Sequence, residues 1–507
     1  MHSILLLLLA QSPPAFEVHE ATIAQVQAAL KSNRITCQTL VEKYLDRIAA
    51  YDKQGPAINS LILVNPNAID EAKVLDRRTT PAGPLHCVPL IVKDNMETAG
   101  ITTTNGALVF SKYIPAKDAF QVARAKRAGA IVLAKASMAE WAFSPYETVN
   151  SVLPGYTKNP YALDRVTAGS SGGTAAAIAA SLGLVGLGTD TGNSIRGPSS
   201  HQALVGIRST MGLTSRSGVF PLSMLADIAG PMARTVEDAA KLFEVIVGTD
   251  PDDPVTAQAD QHKPFISLDA NSLNGARLGI LKAAYLRDTT DPEVISIFNA
   301  TLNTLRRAGA TIVESPAIED VKRPERTGPC MGFKYDLNRF LAARAGQLPV
   351  KTLTAIIESN GFHPNNLRRL ETAEKAPENG PASAPCLLDS QYRDQLREAV
   401  LSAMNTHRLD AFIYPTWSNP PRLIGDLNSP HGDNSQLFSP TTGFPAVNVP
   451  IGATRNNTLP LGMTLYGLPW SEALLINLAY AYEQATHHRR PPKSTPPLVP
   501  AKKPPTR

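Results

Sequence analysis

The chain has 507 residues, 43% of them apolar and 18% charged, so it is long enough to bury a large core and low in charge for a soluble domain. Its net charge of +5 is spread along the sequence without a basic stripe, so charge gives no nucleic-acid surface. Cys37, Cys87, Cys330 and Cys386 lie far apart with no Cys-x-x-Cys pair, and the ten histidines include no His-Glu-x-x-His; common metal and redox motifs are excluded and no disulfide is demanded.

Residues 1–12 carry an apolar run, Ile4 to Leu9, that ends in small residues near Ala10 and Ser12. The run reads as a secretory signal, which predicts export to the periplasm or secretion. No Lys or Arg precedes it, and the other reading is an apolar extension on a cytoplasmic protein. No later stretch is long and apolar enough to span a bilayer. Apolar residues at helical spacing (Ile23, Val26 and Leu30, then Leu40, Tyr44 and Ile48) predict helices over 22–30 and 36–51. Thr36, followed by Gln38 and Thr39, is a candidate helix start. A third helix is expected over 67–78, so that 13–80 forms a helical layer packed on the rest.

Residues 88–92 form an apolar run that ends in Lys93, as a buried strand would. Taken alone, such a lysine reads as a snorkelling surface residue. A helix over 120–128, a strand over 131–134 and a pocket-side segment over 140–143 follow. This alternation predicts an α/β sheet covered by helices.

The stretch from Gly169 to Arg196 is the richest in the chain. A Gly/Ser loop, 169–173, opens an alanine-rich helix over 174–180. A Gly-punctuated apolar strand, 182–187, then ends in a second small-residue turn, 188–194. Each turn offers a serine hydroxyl among backbone N–H groups that bulky neighbours do not cover. Acyl transfer needs that pairing of a nucleophile with donors for a developing oxyanion. Other turn chemistries are absent. Gly186-Leu187-Gly188 misses the third glycine of a dinucleotide loop, and no P-loop is present. Gly192-Asn193-Ser194-Ile195-Arg196 is not a Gly-x-Ser-x-Gly elbow, and no Lys-Thr-Gly occurs.

Downstream, helices are expected over 235–247 and 291–308 and strands over 276–280 and 311–313. An irregular helical region spans 314–408, with a Pro/Ala/Gly-rich loop at 375–385. A strand is expected over 410–415 and a last helix over 471–486. Residues 488–507 are Pro-rich and are expected to be a disordered tail.

Gly169-Ser170-Ser171-Gly172-Gly173, Gly188-Thr189-Asp190-Thr191-Gly192-Asn193-Ser194-Ile195-Arg196 and Leu85-His86-Cys87-Val88-Pro89-Leu90-Ile91-Val92-Lys93-Asp94-Asn95 together resemble the amidase signature family. The likeness extends to Gly443-Phe444-Pro445-Ala446 and to residues 479–485. It implies a single large α/β/α core over 81–487, with a mixed twisted sheet covered by helices on both faces and a variable region near 314–408. It implies that Ser194 is the nucleophile, that Ser170, after a cis peptide bond, passes the proton, and that neutral Lys93 is the base. Burial would disfavour the charged form of that lysine. The N–H groups of Thr191, Gly192, Asn193 and Ser194 would form the oxyanion hole. Asp190 and Arg196 are expected to pair and hold the turn. Asn193 and Ala168 stand where the family mostly has glycine.

The resemblance implies hydrolysis of a small-molecule or peptide amide through an acyl-enzyme, with no metal and no cofactor. No nucleic-acid partner and no stable membrane span are expected, and the protein would be a monomer or homodimer. An amidotransferase A-type subunit, supplying ammonia for transamidation of aminoacyl-tRNA, is the alternative activity. A catalytically silent binding protein is a second rival, which the intact Lys93, Ser170 and Ser194 disfavour.

Overall fold

The computed structural model describes residues 16–143, 151–323, 330 and 332–498. The anticipated leader, 1–12, lies outside them. Eleven strands form one sheet: β1 (Leu61–Val64), β2 (Pro89–Lys93), β3 (Ile131–Ala136), β4 (Val185–Asp190), β5 (Val205–Arg208), β6 (Ile228–Ala233), β7 (Arg277–Ile280), β8 (Thr311–Val313), β9 (Ala411–Pro415), β10 (Ala446–Ala453) and β11 (Leu459–Tyr466). Their order is β1-β3-β2-β4-β6-β5-β10-β11-β9-β7-β8. The sheet is mixed. Strand β2 runs parallel to β3 and β4, and β7 runs parallel to β8 and β9. The remaining pairs are antiparallel.

Every residue of β2, β3, β4, β5, β6, β9 and β11 is buried. Successive side chains on a strand point to opposite faces, so burial of all of them requires cover on both. Sixteen α-helices in the described residues supply that cover. The fold is the α/β class expected from the alternation of elements.

The early helices start where their caps place them. Thr22 and Gln25 form a reciprocal capping box at Ile23–Lys31. The Thr36 side chain accepts from Thr39 N–H ahead of Cys37–Tyr51. The strand expected over 182–187 is instead β4, Val185–Asp190. Antiparallel pairing with β6 continues to Asp190 opposite Ile228, and this ladder carries Gly188 and Thr189 into the strand despite their preference for turns. Strands β1, β5, β6, β10 and β11 have no counterpart among the expected elements.

The variable region builds a core of its own. Phe333, Leu337, Leu353 and Leu370 from its helices pack on Phe110 and Trp141. All four cysteines are paired, Cys37 with Cys87 and Cys330 with Cys386, across Cα separations of 5.3 and 4.5 Å. Sequence spacing did not require these bonds; the packing of distant segments creates them.

Residues 488–498 correct the expected disordered tail, whose remaining residues lie outside the described ones. The Arg489 guanidinium pairs with Glu20 at 2.7 Å and donates to Ala179 O and Ala203 O. Buried Arg47 donates to Thr495 O and Pro496 O, and Ser494 Oγ donates to Pro160 O. An extended proline-rich segment keeps its carbonyls out of regular structure, so they are free to satisfy buried guanidinium groups.

Burial would raise the Glu20 carboxyl, but Arg489, supported by Arg234, overcomes it and holds the group at about 2. Removing one partner of a buried pair costs roughly 3–5 kcal/mol, which we reduce to about 2 kcal/mol because Glu20 is partly exposed. Arg489→Ala should destabilise the protein by that amount in urea unfolding at pH 7. Because the folded carboxyl lies below its ordinary 4.5, the difference should persist above that pH and shrink as pH falls towards 2.

Candidate active site

Strand β2 is apolar until its last residue, and that residue, Lys93, is fully buried. Its neighbour β4 is parallel, with Val92 opposite Leu187, so the lysine arrives beside Gly188 and Thr189. Lys93 Nζ lies 2.7 Å from Ser170 Oγ, 2.7 Å from Thr189 Oγ1 and 3.4 Å from Thr189 O. Asn95 Nδ2 also donates to Thr189 Oγ1, at 3.0 Å. Burial pushes the amine down to about 7, against the opposing pull of Asp190 and Asp227.

The first serine turn sits directly on the sheet. The Gly169–Ser170 peptide bond is cis, and Ser170 O accepts from Ala139 N–H at 3.1 Å. A Cβ on Gly173 would fall 2.1 Å from Ser137 O, so only glycine lets the following helix, Gly172–Ala179, approach this closely. Ala168 occupies the left-handed region at φ 56°, where glycine would be unstrained. The two turns are joined by a hydrogen bond from Ser171 N–H to Ser194 O at 3.2 Å.

The second turn is organised by one carboxylate. Asp190 Oδ2 accepts from Ile195 N–H at 3.2 Å and from Arg196 Nε at 3.1 Å. Its Oδ1 accepts from Arg196 Nη2 at 3.2 Å and Arg208 Nη1 at 3.1 Å. All three side chains are fully buried. Burial would raise the Asp190 carboxyl, but the two guanidinium groups outweigh it and hold it at about 2. Arg196 Nη2 also takes the Gly192 carbonyl at 2.7 Å. With that carbonyl drawn inward, the N–H groups of residues 191–194 have no hydrogen-bond partner among the described residues. Such a row of free donors suits an oxyanion.

Residues 191–194 border a cavity of about 840 Å³, a volume typical of small-molecule sites. Phe143 and Phe333, with ring centroids 5.1 Å apart, form an apolar wall. Arg369 lies 4.1 Å above the Phe143 ring. Arg323, Arg393 and Arg422 also line the cavity, against a single acidic residue, Asp433, among the described residues. Away from this cavity, the one cluster of metal-type ligands among the described residues is Cys37, His86 and Cys87, whose two sulfurs are joined to each other.

The structure therefore joins Lys93 directly to Ser170 and ties the Thr191–Ser194 turn to the adjoining Ser171, while the Ser194 hydroxyl makes no hydrogen bond to Ser170 among the described residues. Sequence reasoning missed Thr189 as a partner of the lysine and Asn95 as a second donor to Thr189, although both lie inside the motifs that carry Ser194 and Lys93. It paired Asp190 with Arg196 but missed Arg208, which comes from β5.

A sequence model of the family described as Amidase matches residues 39–476. An Arabidopsis thaliana protein described as a probable amidase is 33% identical over 94% of this chain and 92% of its own. The A-type subunit of glutamyl-tRNA(Gln) amidotransferase from Acinetobacter baumannii is 32% identical over 93% of this chain and 97% of its own. The structure of native peptide amidase from Stenotrophomonas maltophilia superposes with a TM-score of 0.82 at 33% identity, covering 93% of this chain and 98% of that one. The chain belongs to the amidase signature family.

This amidase is thus an amide-hydrolysing enzyme, and the geometry above is the frame for its chemistry. Asp190→Asn would leave two buried guanidinium groups facing a neutral amide. It should destabilise the protein by about 3 kcal/mol in urea unfolding and lower kcat/KM, because Arg196, which holds the Gly192 carbonyl, loses the carboxylate that positions it.

Proposed function

We propose that this amidase hydrolyses linear carboxylic amides through an acyl-enzyme, with Ser194 as nucleophile, Ser170 as proton bridge and Lys93 as general base. The observation that carries this reading is the buried Lys93 Nζ, 2.7 Å from Ser170 Oγ and with its amine held near neutrality. A neutral amine can donate to Thr189 and still offer its lone pair to the Ser170 hydroxyl. In acylation the substrate carbonyl oxygen takes the free N–H groups of residues 191–194. Ser194 Oγ bonds to the carbonyl carbon, its proton passes to Ser170, and the Ser170 proton passes to Lys93. The tetrahedral intermediate collapses as the relay returns a proton to the leaving nitrogen, which departs as ammonia or an amine. Water then attacks the acyl-enzyme by the same relay and releases the acid.

The amidotransferase A-type activity remains the second reading, favoured by the relatives of that description at 32% identity over 93% of this chain. It predicts glutamine hydrolysis that requires partner subunits, whereas the preferred reading predicts turnover of amides by the purified chain alone. Export goes with the preferred reading, because two disulfides suit an oxidising compartment. In the proposed layout, 13–80 is a layer on a catalytic domain spanning 81–487.

Below pH 7 the lysine is protonated and cannot accept a proton; above it the base is free. The kcat/KM of the wild type should therefore rise with pH through about 7 and then level off. Lys93→Arg should lose roughly two to four orders of magnitude in acylation, because a guanidinium stays charged. Near-wild-type acylation by a folded Lys93→Arg enzyme would place the base elsewhere. Ser194→Ala should abolish both turnover and labelling by a sulfonyl fluoride.

A further inference from the structure

Among the described residues, the hydroxyl of Ser194 makes no hydrogen bond to Ser170 or Lys93. Among the described residues its Oγ makes one hydrogen bond, donating to Asn193 Oδ1 at 3.3 Å. A hydroxyl has one proton to give, so Ser170 cannot receive it while Asn193 holds it. Asn193 is 7% exposed and Ser194 4%, and water competes little for either. The carboxamide is also seated from behind. Its Nδ2 lies against Gly197, where an added Cβ would come within 3.4 Å of that nitrogen and 2.6 Å of Trp417 Cζ3. With glycine at 197, no side chain crowds the carboxamide nitrogen from that position. The main chain is fixed separately, since Asn193 O accepts from Gly197 N–H at 2.7 Å. The side chain can therefore turn without moving the row of N–H donors.

We propose that the Asn193 side chain is a latch on the nucleophile that makes the site selective for substrates bearing an amide N–H. This inference rests on Ser194 being the nucleophile. An entering amide places its carbonyl on the N–H groups of the turn and its own N–H on Asn193 Oδ1. The Ser194 hydroxyl, displaced from that acceptor, then turns to Ser170 and the relay closes. An ester occupies the same carbonyl position but has no N–H, so it leaves the latch engaged. Asn193 is thus a positioning residue that reads the leaving group. A glycine at 193 has no side chain to do so.

The test uses a matched pair, an anilide and the phenyl ester of one acid, with wild type, Asn193→Ala and Asn193→Gly. Asn193 has no left-handed backbone, so both replacements fit its conformation. The ester-to-amide ratio of kcat/KM should rise by about five-fold or more in both variants, the factor that one neutral hydrogen bond of roughly 1 kcal/mol represents. The rate of inactivation by a sulfonyl fluoride, which also lacks an N–H, should rise in step. A ratio unchanged from wild type, or slower inactivation in both variants, overturns the latch. Labelling of Ser194→Ala by the same reagent at another active-site residue would instead overturn the nucleophile assignment, so the two failures are distinguishable.

Discussion

The site depends on a primary amine that water cannot reach. Lys93 is delivered by a strand whose every residue is buried, and that burial is possible only because the sheet is covered on both faces. Displacing the amine from its ordinary 10.5 to about 7 corresponds to an energy on the order of 5 kcal/mol against the charged form. Only a large, well-packed core can sustain such a penalty, and the chain supplies one in a sheet of eleven strands.

The negative charges nearest this amine are balanced locally. Asp190 and Asp227 both favour the protonated lysine. Asp190 is bound by two guanidinium groups, and Asp227 accepts from Leu222 N–H and Ser223 N–H. One carboxylate thereby orders the second turn without returning the lysine to its charged state. The same arginine that pairs with Asp190 turns the Gly192 carbonyl inward, so the charge state of Lys93 and the orientation of the N–H groups share a single ion cluster.

The residues that gather around Lys93 and the two serine turns were more legible in the sequence than the sheet was. Small residues around Ser170 and Ser194 are visible because close backbone approach tolerates little else, as Gly173 against Ser137 O shows. The capped early helices were legible because Thr22 and Thr36 act within three residues of themselves. Strands β6 and β10 were not legible, since each carries a proline inside its run, Pro231 and Pro450, and proline ordinarily argues against a strand. Arg208 and the disulfide partners were invisible for another reason. Each meets its partner only through the sheet order or the packing of distant segments, and no local pattern encodes that.

The C-terminal arginine clasp joins distant parts of the chain. The helix that begins in the first serine turn ends at Ala179, and its last carbonyls are taken by Arg47 and Arg489. One of these donors precedes the helix in the chain by more than a hundred residues, and the other follows it by about three hundred. A chain that stops short of Arg489 lacks the donor to the Ala179 carbonyl. The end of the helix that starts in the first serine turn is thus held by side chains from three distant parts of the sequence, Arg47, Arg234 and Arg489.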